Sequence, residues 1–245
     1  GEALAHALVA KNSRLIISAR NEAALQAIKT NYPSALIEVL PFDLLDFDTT
    51  PAIVAKAISF YGKVDVLVNN GGISQRSLIA ETDFAVDKKI MDVDYFGTIA
   101  LTKALLPHFI QNQSGHYVTV TSLMGKFGSP YRSGYCAAKH ALHGYFDVMR
   151  MEHEKDGVAV TLVCPGFVQT NVAINALTAD GSPQVKNSET TANGMLLADF
   201  IPKMVRAMEQ KKFEVYIGKK EVLGIYLKRF LPKYLHKVVL KSKVN

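Results

Sequence analysis

Ser122, Tyr135 and Lys139 are of the right types and spacing to move a proton to or from a carbonyl oxygen, with Tyr135 thirteen residues after Ser122 and Lys139 four after Tyr135. Tyrosine and lysine four apart on a helix lie one above the other on one face. A lysine ammonium so placed favours the phenolate and brings the tyrosine's proton within reach of chemistry near neutral pH, where a general acid works best. Ser122 ends an apolar run, from which its hydroxyl can hold a substrate oxygen. Hydrolase chemistry is not indicated: Ser122 has no recognisable His and Asp partners and no nucleophile elbow around it.

The elements that must hold these residues alternate along the chain. Apolar runs predict strands over 14–19, 35–41, 64–69, 116–121, 158–163 and 213–217. Between them the pattern predicts helices over 21–31 (capped by Asn21), 50–61, a long helix from 83 or 88 to 111, a helix over 133–155 carrying Tyr135 and Lys139, and one over 196–210. Such alternation implies right-handed crossovers and an α/β fold, a doubly wound, Rossmann-like parallel sheet with helices on both faces. Sheets of this kind bind ligands beyond the carboxyl ends of their strands. Asp43, the turn Asn69-Asn70-Gly71-Gly72, Ser122 and Pro165-Gly166 all fall at such ends.

Length and composition fit one domain over 1–245, since nearly half of the residues are hydrophobic and a fifth charged. The net charge of +6 is uneven: residues 211–245 hold ten Lys and Arg against two Glu. The basic character belongs to the C-terminal part, which argues against nucleic-acid binding by the domain. Cys136 and Cys164 lack disulfide or metal spacing, so a reducing, cytoplasmic compartment is expected and no metal site. His140 and His143 stand at i and i+3, yet packing or surface roles fit them better than ligation. His108 and His116 have no identifiable partner. No signal peptide and no apolar run long enough to span a membrane is visible. Residues 171–195 are polar and turn-rich, a mobile substrate lid by expectation. Residues 220–245 form a basic amphipathic segment suited to a membrane surface or a partner. The plainer reading is a helix packed on the domain with its lysines solvated; Pro232 would kink or break it.

Ser-x12-Tyr-x3-Lys, Asn-Asn-Gly-Gly upstream and Pro-Gly downstream resemble, over essentially the whole chain, the short-chain dehydrogenase/reductase superfamily of the classical type. Tyr95-Phe96-Gly97-Thr98, Lys126-Phe127 and Lys139-His140-Ala141-Leu142 resemble its branch with dehydrogenase/reductase member 7 and 11-beta-hydroxysteroid dehydrogenase type 1. The resemblance implies roles. Tyr135 would be the acid/base, Ser122 would stabilise the substrate oxygen, and Lys139 would bind the nicotinamide ribose and act on Tyr135. Asn69, Gly71 and Gly72 would let the cofactor approach the backbone. Asp43 would contact adenine. Pro165, Gly166, Val168 and Thr170 would lie at the nicotinamide, with Thr170 on its carboxamide. The place that corresponds to the end of the family's second strand reads Ser18-Ala19-Arg20, without the acid that binds an NAD ribose. The planar fork of Arg20 suits a 2′-phosphate, so NADP(H) is expected in preference to NAD(H). The plainer reading of Arg20 is a solvated residue at a helix start.

Two departures stand out. Gly1-Glu2-Ala3 resembles the stretch just after Gly-Ile in the family's Thr-Gly-x3-Gly-Ile-Gly loop. Gly1 would then be the last motif glycine, and the first strand and most of the phosphate cradle lie outside this sequence. The natural protein is expected to continue upstream; the alternative is a truncated protein without cofactor binding. Asp94 stands where the family usually has the Asn that supports a bend of the long helix and a proton relay. Its carboxylate would pair with Lys139 and weaken the action of Lys139 on Tyr135. The expected function is NADP(H)-dependent oxidoreduction of a small carbonyl or alcohol (EC 1.1.1.-), with lipophilic ketones favoured by the branch. Pairing of helices 83–111 and 133–155 into a homodimer or tetramer is implied. Alternatives are a non-catalytic binding or membrane-peripheral scaffold and a 3-oxoacyl-acyl-carrier-protein reductase.

Overall fold

Every strand runs parallel to its neighbour, because each is separated from the next by a helical crossover. The computed structural model describes residues 1–185 and 189–242. The order is α1 (Glu2–Val9), β1 (Leu15–Ile17), α2 (Glu22–Thr30), β2 (Ile37–Val39), α3 (Thr50–Tyr61), β3 (Val66–Asn69), α4 (Phe84–Ile90), α5 (Thr98–Gln111), β4 (Gly115–Val120), α6 (Ser133–His153) and β5 (Val158–Pro165), followed by α7 (Glu189–Ala192), α8 (Leu197–Glu209), β6 (Glu214–Ile217), α9 (Leu223–Phe230) and α10 (Pro232–Lys241). Local chemistry sets several ends. The Asn21 side chain accepts from the Ala24 amide at 3.0 Å and starts α2. Pro51 sits in the first turn of α3, and Gly62 closes that helix in the left-handed region at φ 77°.

β3-β4-β5-β6 form a four-stranded sheet, and β1-β2 form a separate pair. Among the described residues no strand bridges β1 and β3. The four-stranded sheet is covered on both faces, since its strands alternate apolar contacts. Val118 and Val163 point to a layer with Leu4 of α1 and Phe200, Met204 and Val205 of α8. Tyr117, Val158, Val160 and Leu162 point to the opposite layer with Leu105, Phe109, Leu142 and Phe146 of α5 and α6.

Two expectations are corrected. The long helix 83–111 is interrupted: residues Met91–Gly97 form a π-helical stretch between α4 and α5. The wider turn carries Asp94, whose backbone carbonyl accepts from the Thr98 hydroxyl at 2.8 Å. β5 runs on to Pro165, because β6 pairs with it as far as Pro165↔Ile217. Within the expected lid, residues 171–185 make packing contacts with the domain. Ala173 and Ala176 are fully buried, and Leu177 packs with Val86, Ile90 and Ala138. Residues 186–188 of that expected lid lie outside the described residues.

Two buried histidines make the framework sensitive to acid. On β4, His116 shares a 2.8 Å hydrogen bond with the Thr161 hydroxyl; burial, then Lys211, push its pKa down to about 4. On α6, His143 is pushed down to about 4 by burial, then by Lys126, against Glu214. The unfolded chain protonates each near 6.5, whereas the folded chain resists until about 4. Their contribution is therefore complete above 6.5 and is lost as pH falls toward 4. Unfolding free energies from urea titrations taken from about pH 7.5 down to about 4.5 should fall, by up to about 1.4 kcal/mol per pH unit for each histidine. The double variant H116Q/H143Q should flatten that slope.

Candidate active site

Ser122 lies two residues past the end of β4, with extended backbone. Its Oγ accepts from the Met124 amide at 3.1 Å, capping a short turn over Leu123–Gly125, and lies 3.5 Å from the Pro165 carbonyl oxygen at the end of β5. Tyr135 is half-buried in the first turn of α6, and Lys139 lies one turn on, on the same side. The Lys139 Nζ stands 5.6 Å from the Tyr135 ring centroid and 3.4 Å from the Val120 carbonyl oxygen that it donates to.

Asp94 faces the same ammonium. Its Oδ2 is 3.2 Å from Lys139 Nζ, with side-chain exposure of 0 % and 5 % respectively. Oδ1 accepts from the Ile73 amide at 2.7 Å. Oδ2 is buried without a hydrogen bond, so its contact with the ammonium is an ion pair off hydrogen-bond geometry. Burial raises the Asp94 pKa, opposed by Lys139 and the Ile73 amide. Burial works against the Lys139 ammonium too, yet Asp94 and then Tyr135 outweigh it, and its pKa is raised. Gly72 leaves room for the pair: a Cβ there would lie 3.2 and 3.3 Å from the Asp94 oxygens and 3.3 Å from Lys139 Nζ.

The start of α6 is fixed by a residue that the sequence did not single out. Gln75 is completely buried; its Oε1 accepts from the Gly134 amide at 2.8 Å, and its Nε2 donates to Ser77 and Thr82 at 3.1 Å and Ser133 at 3.3 Å. A glutamine in a loop after a strand carries no mark of burial in the sequence.

On the expected cofactor side, Arg20 and Asp43 come together at the ends of β1 and β2. Arg20 Nη1 is 3.9 Å from Asp43 Oδ2, and the arginine side chain is 70 % exposed. Asp43 Oδ1 accepts from the Leu45 amide at 3.1 Å. Gly1 caps α1, and a Cβ on it would lie 3.4 Å from Asn70 Nδ2, so Gly1 adjoins the turn after β3. A Cβ on Gly71 would lie 2.8 Å from Leu44. Asn69 is turned inward: its Nδ2 donates to Thr102 at 3.1 Å and Thr119 at 3.3 Å, which ties β3 to α5 and β4. Val168 is buried in the layer under α8 and bridges to Met195. Gly166 donates to the Ile217 carbonyl at 2.9 Å. Thr170 is half-buried, with its hydroxyl 3.4 Å from the Val172 amide.

Ser122 and Tyr135 open into a cavity of about 630 Å³. Its roof is the C-terminal segment: Leu223, Tyr226 and Leu227 from α9, and Leu235, Val238 and Val239 from α10. The inner faces of these helices pack with Leu123, Phe127 and Cys164, as the plainer reading of the segment had it. Pro232 breaks the segment into two helices by opening α10. Phe230 and Leu240 point outward, and residues 243–245 lie outside the described residues. His140 and His143 do not converge: His140 is exposed with Nδ1 2.8 Å from the Cys136 carbonyl, while His143 is buried beside Cys164 and Glu214, their ligand atoms within 4.8 Å. Lys126 occupies the Glu214 carboxylate at 2.7 Å, and the Cys164 thiol donates to it at 3.2 Å.

The short chain dehydrogenase family model matches residues 1–180. A dehydrogenase/reductase SDR family protein 7-like of Drosophila melanogaster is 36 % identical over 252 residues, covering 100 % of this chain and 77 % of that one. A solved short-chain dehydrogenase from Streptomyces avermitilis superposes with a TM-score of 0.83 at 26 % identity, over 99 % of this chain and 94 % of its own. A short chain dehydrogenase/reductase from Burkholderia phymatum in complex with NAD shares the fold, with a TM-score of 0.82 at 18 % identity over 100 % of this chain and 92 % of its own. A strand-end serine, a tyrosine and a lysine on one parallel-sheet framework thus carry a family signature, and the chain belongs to the short-chain dehydrogenase/reductase superfamily. Within it, the chain falls in the branch of dehydrogenase/reductase member 7.

The ion pair has a stability signature. In K139M the Asp94 carboxylate stays buried with no cation facing it, and removing one partner of a buried pair costs about 3–5 kcal/mol. Burial already raises Asp94. A carboxyl with a raised pKa favours the fold when protonated and loses that contribution as pH rises through its folded pKa. Measured against the wild type at each pH, K139M should therefore lose less stability to urea near pH 5 than near pH 8, and D94N/K139M should remove that pH dependence of the difference. A K139M protein with the wild-type pH dependence would contradict the pairing.

Proposed function

We propose that the protein is an NADP(H)-dependent oxidoreductase that interconverts a lipophilic ketone and its secondary alcohol, with Tyr135 as the acid/base. The family supports oxidoreduction at a CH–OH group. The observation that carries the finer reading is that Ser122 and Tyr135 line one apolar-roofed cavity while Lys139 stands behind the tyrosine ring.

The residues present fit a nicotinamide nucleotide. Gly71 and Gly72 leave bare backbone beyond β3, where a Cβ would crowd Leu44 or the Asp94–Lys139 pair. Arg20 offers an exposed cation at the end of β1, with Asp43 beside it for the adenine. Lys139 and Thr170 would hold the nicotinamide ribose and carboxamide. When bound, the nicotinamide supplies or takes up the hydride at the substrate carbon. Ser122 would donate its hydroxyl hydrogen to the substrate oxygen, and Tyr135 would give up its phenolic proton to that oxygen. The Lys139 ammonium stabilises the phenolate left behind. Asp94 holds Lys139 in place and draws on the same charge. The C-terminal roof excludes water and favours an apolar substrate body, which supports this reading over a carrier-bound acyl chain or a scaffold.

Titrating the protein with NADPH and NADH, followed by nucleotide fluorescence, tests the cofactor assignment. NADPH should bind at least about tenfold more tightly, and R20Q should narrow the gap. Y135F should keep NADPH binding and lose about 10²–10⁴-fold in turnover. Binding of neither nucleotide would sink the proposal.

The roof also supports contact with a membrane surface. Phe230, Leu231, Tyr234 and Leu240 are exposed among Lys228, Arg229, Lys233 and Lys237, the mixture that lies in a bilayer interface. No helix among the described residues is long and apolar enough to cross a membrane. The protein should co-sediment with anionic vesicles, and F230S/L231S should weaken this severalfold; equal sedimentation of the variant would remove the assignment.

A further inference from the structure

The cavity wall beside Tyr135 holds a cation for which the reaction has no use. Arg76 follows the loop after β3 and lines the cavity together with Ser74, Ser122 and Tyr135. Its backbone amide is pinned to the Leu177 carbonyl at 2.8 Å. One terminal nitrogen folds back on its own loop, donating to the Ser74 hydroxyl at 2.9 Å and the Gln75 carbonyl at 2.6 Å. The Nε is buried with no hydrogen-bond partner. No carboxylate among the described residues pairs with this guanidinium. Glu221, the acidic side chain in the cavity lining among the described residues, is turned to the Phe167 amide at 3.1 Å.

A second guanidinium lies close by. Arg132 lines the same cavity and is buried, with Nη1 donating to the Ser129 hydroxyl at 3.1 Å and the Pro130 carbonyl at 3.3 Å. Two like charges against one cavity wall repel. Burial first, and Arg132 next, push the Arg76 pKa down to about 10, which still leaves it charged at neutral pH. A charge taken out of water is retained where something balances it. Among the described residues no acidic side chain supplies that balance at Arg76, while the cavity in front of it is open to a ligand.

We propose that Arg76 sets the substrate class: the cavity takes a lipophilic ketone bearing a carboxylate or phosphate group near its carbonyl, with the anion on Arg76 and the apolar chain under α9 and α10. This rests on the oxidoreductase reading for the word ketone, and on the cavity alone for the anion. The arginine fork presents parallel N–H donors that match a carboxylate or a phosphate, and an anion there satisfies the buried Nε and relieves the repulsion from Arg132. The anion belongs to the substrate rather than to the nucleotide, since Arg76 shares its cavity with Ser122 and Tyr135 whereas Arg20 stands at the end of β1. The headgroup also sets the position of the carbonyl. With the anion held beside Tyr135, only a carbonyl a few bonds away can reach the phenol, and the rest of the chain must run along the apolar roof.

Binding of dodecanoate, dodecyl phosphate and dodecanol to the protein, measured by calorimetry in the presence of NADPH at low salt, tests this without relying on turnover. At least one anion should bind about tenfold or more tightly than the alcohol, and the carboxylate and phosphate arms separate the two headgroups. R76Q should lose most of that advantage and R76K should keep part of it. Equal binding of the alcohol and both anions by the wild-type protein overturns the proposal, whether or not R76Q folds; so does an advantage that survives in folded R76Q. Turnover of a medium-chain 3-oxo acid and its methyl ester then separates the two readings. An anion preference in binding with neither ketone reduced would sink the reductase reading and leave the anion site. Equal reduction of acid and ester, with no preference in binding, would sink the anion site and leave the reductase.

Discussion

The buried charge of Lys139 is the constraint that the rest of the site is arranged around. An ammonium removed from water must be balanced, and three elements converge to do it. The π-helical stretch brings Asp94 to 3.2 Å, β4 offers the Val120 carbonyl, and the turn after β3 stays clear because Gly72 has no side chain. The same Asp94 takes the Ile73 amide, so the carboxylate that balances the charge also fixes the loop running on to Gln75. Gln75 then fixes the first turn of α6, which carries Tyr135. Charge balance, loop conformation and tyrosine position are one connected network.

Asp94 also limits what Lys139 can do. A carboxylate this close to an ammonium takes up part of the field that would otherwise act on the phenol ring 5.6 Å away. With asparagine in its place the loop could still be held, through the amide oxygen on the Ile73 N–H, but the cation would lose its counter-charge. The chain therefore trades electrostatic drive on Tyr135 for a neutralised interior.

Legibility in the sequence followed the range over which each feature is determined. The Ser122–Tyr135–Lys139 set was readable because a tyrosine and lysine one turn apart share a helix face whatever surrounds them. The strand and helix order was readable from alternating apolar periodicity, and Asn21 and Gly62 act on their own neighbours. Asn69 was legible as a turn residue but not as the clamp between β3, β4 and α5, since its partners Thr102 and Thr119 lie 33 and 50 positions on. The interruption of the long helix was legible only through the resemblance, which puts a bend at position 94, because apolar periodicity by itself did not mark it. The destination of the C-terminal segment was illegible too: an amphipathic helix shows that it has an apolar face, not what covers that face. The covering surface, Leu123, Phe127 and Cys164, comes from two central strand ends far back in the chain.

That last placement changes the meaning of the positive charge in the molecule. Counted along the sequence, the basic residues concentrate in the final segment and point outward to an acidic surface or partner. Counted in space, Lys220 of that segment lines the cavity, but the two guanidiniums in its wall, Arg76 and Arg132, come from stretches of ordinary composition, and the C-terminal helices cover them with an apolar roof. A low-dielectric cover strengthens any interaction the two guanidiniums make beneath it. It also raises the cost of leaving Arg76 without an anion. Roof and arginines are therefore coupled: the apolar side chains of α9 and α10 select a chain, and by excluding water they sharpen the selection of what that chain carries.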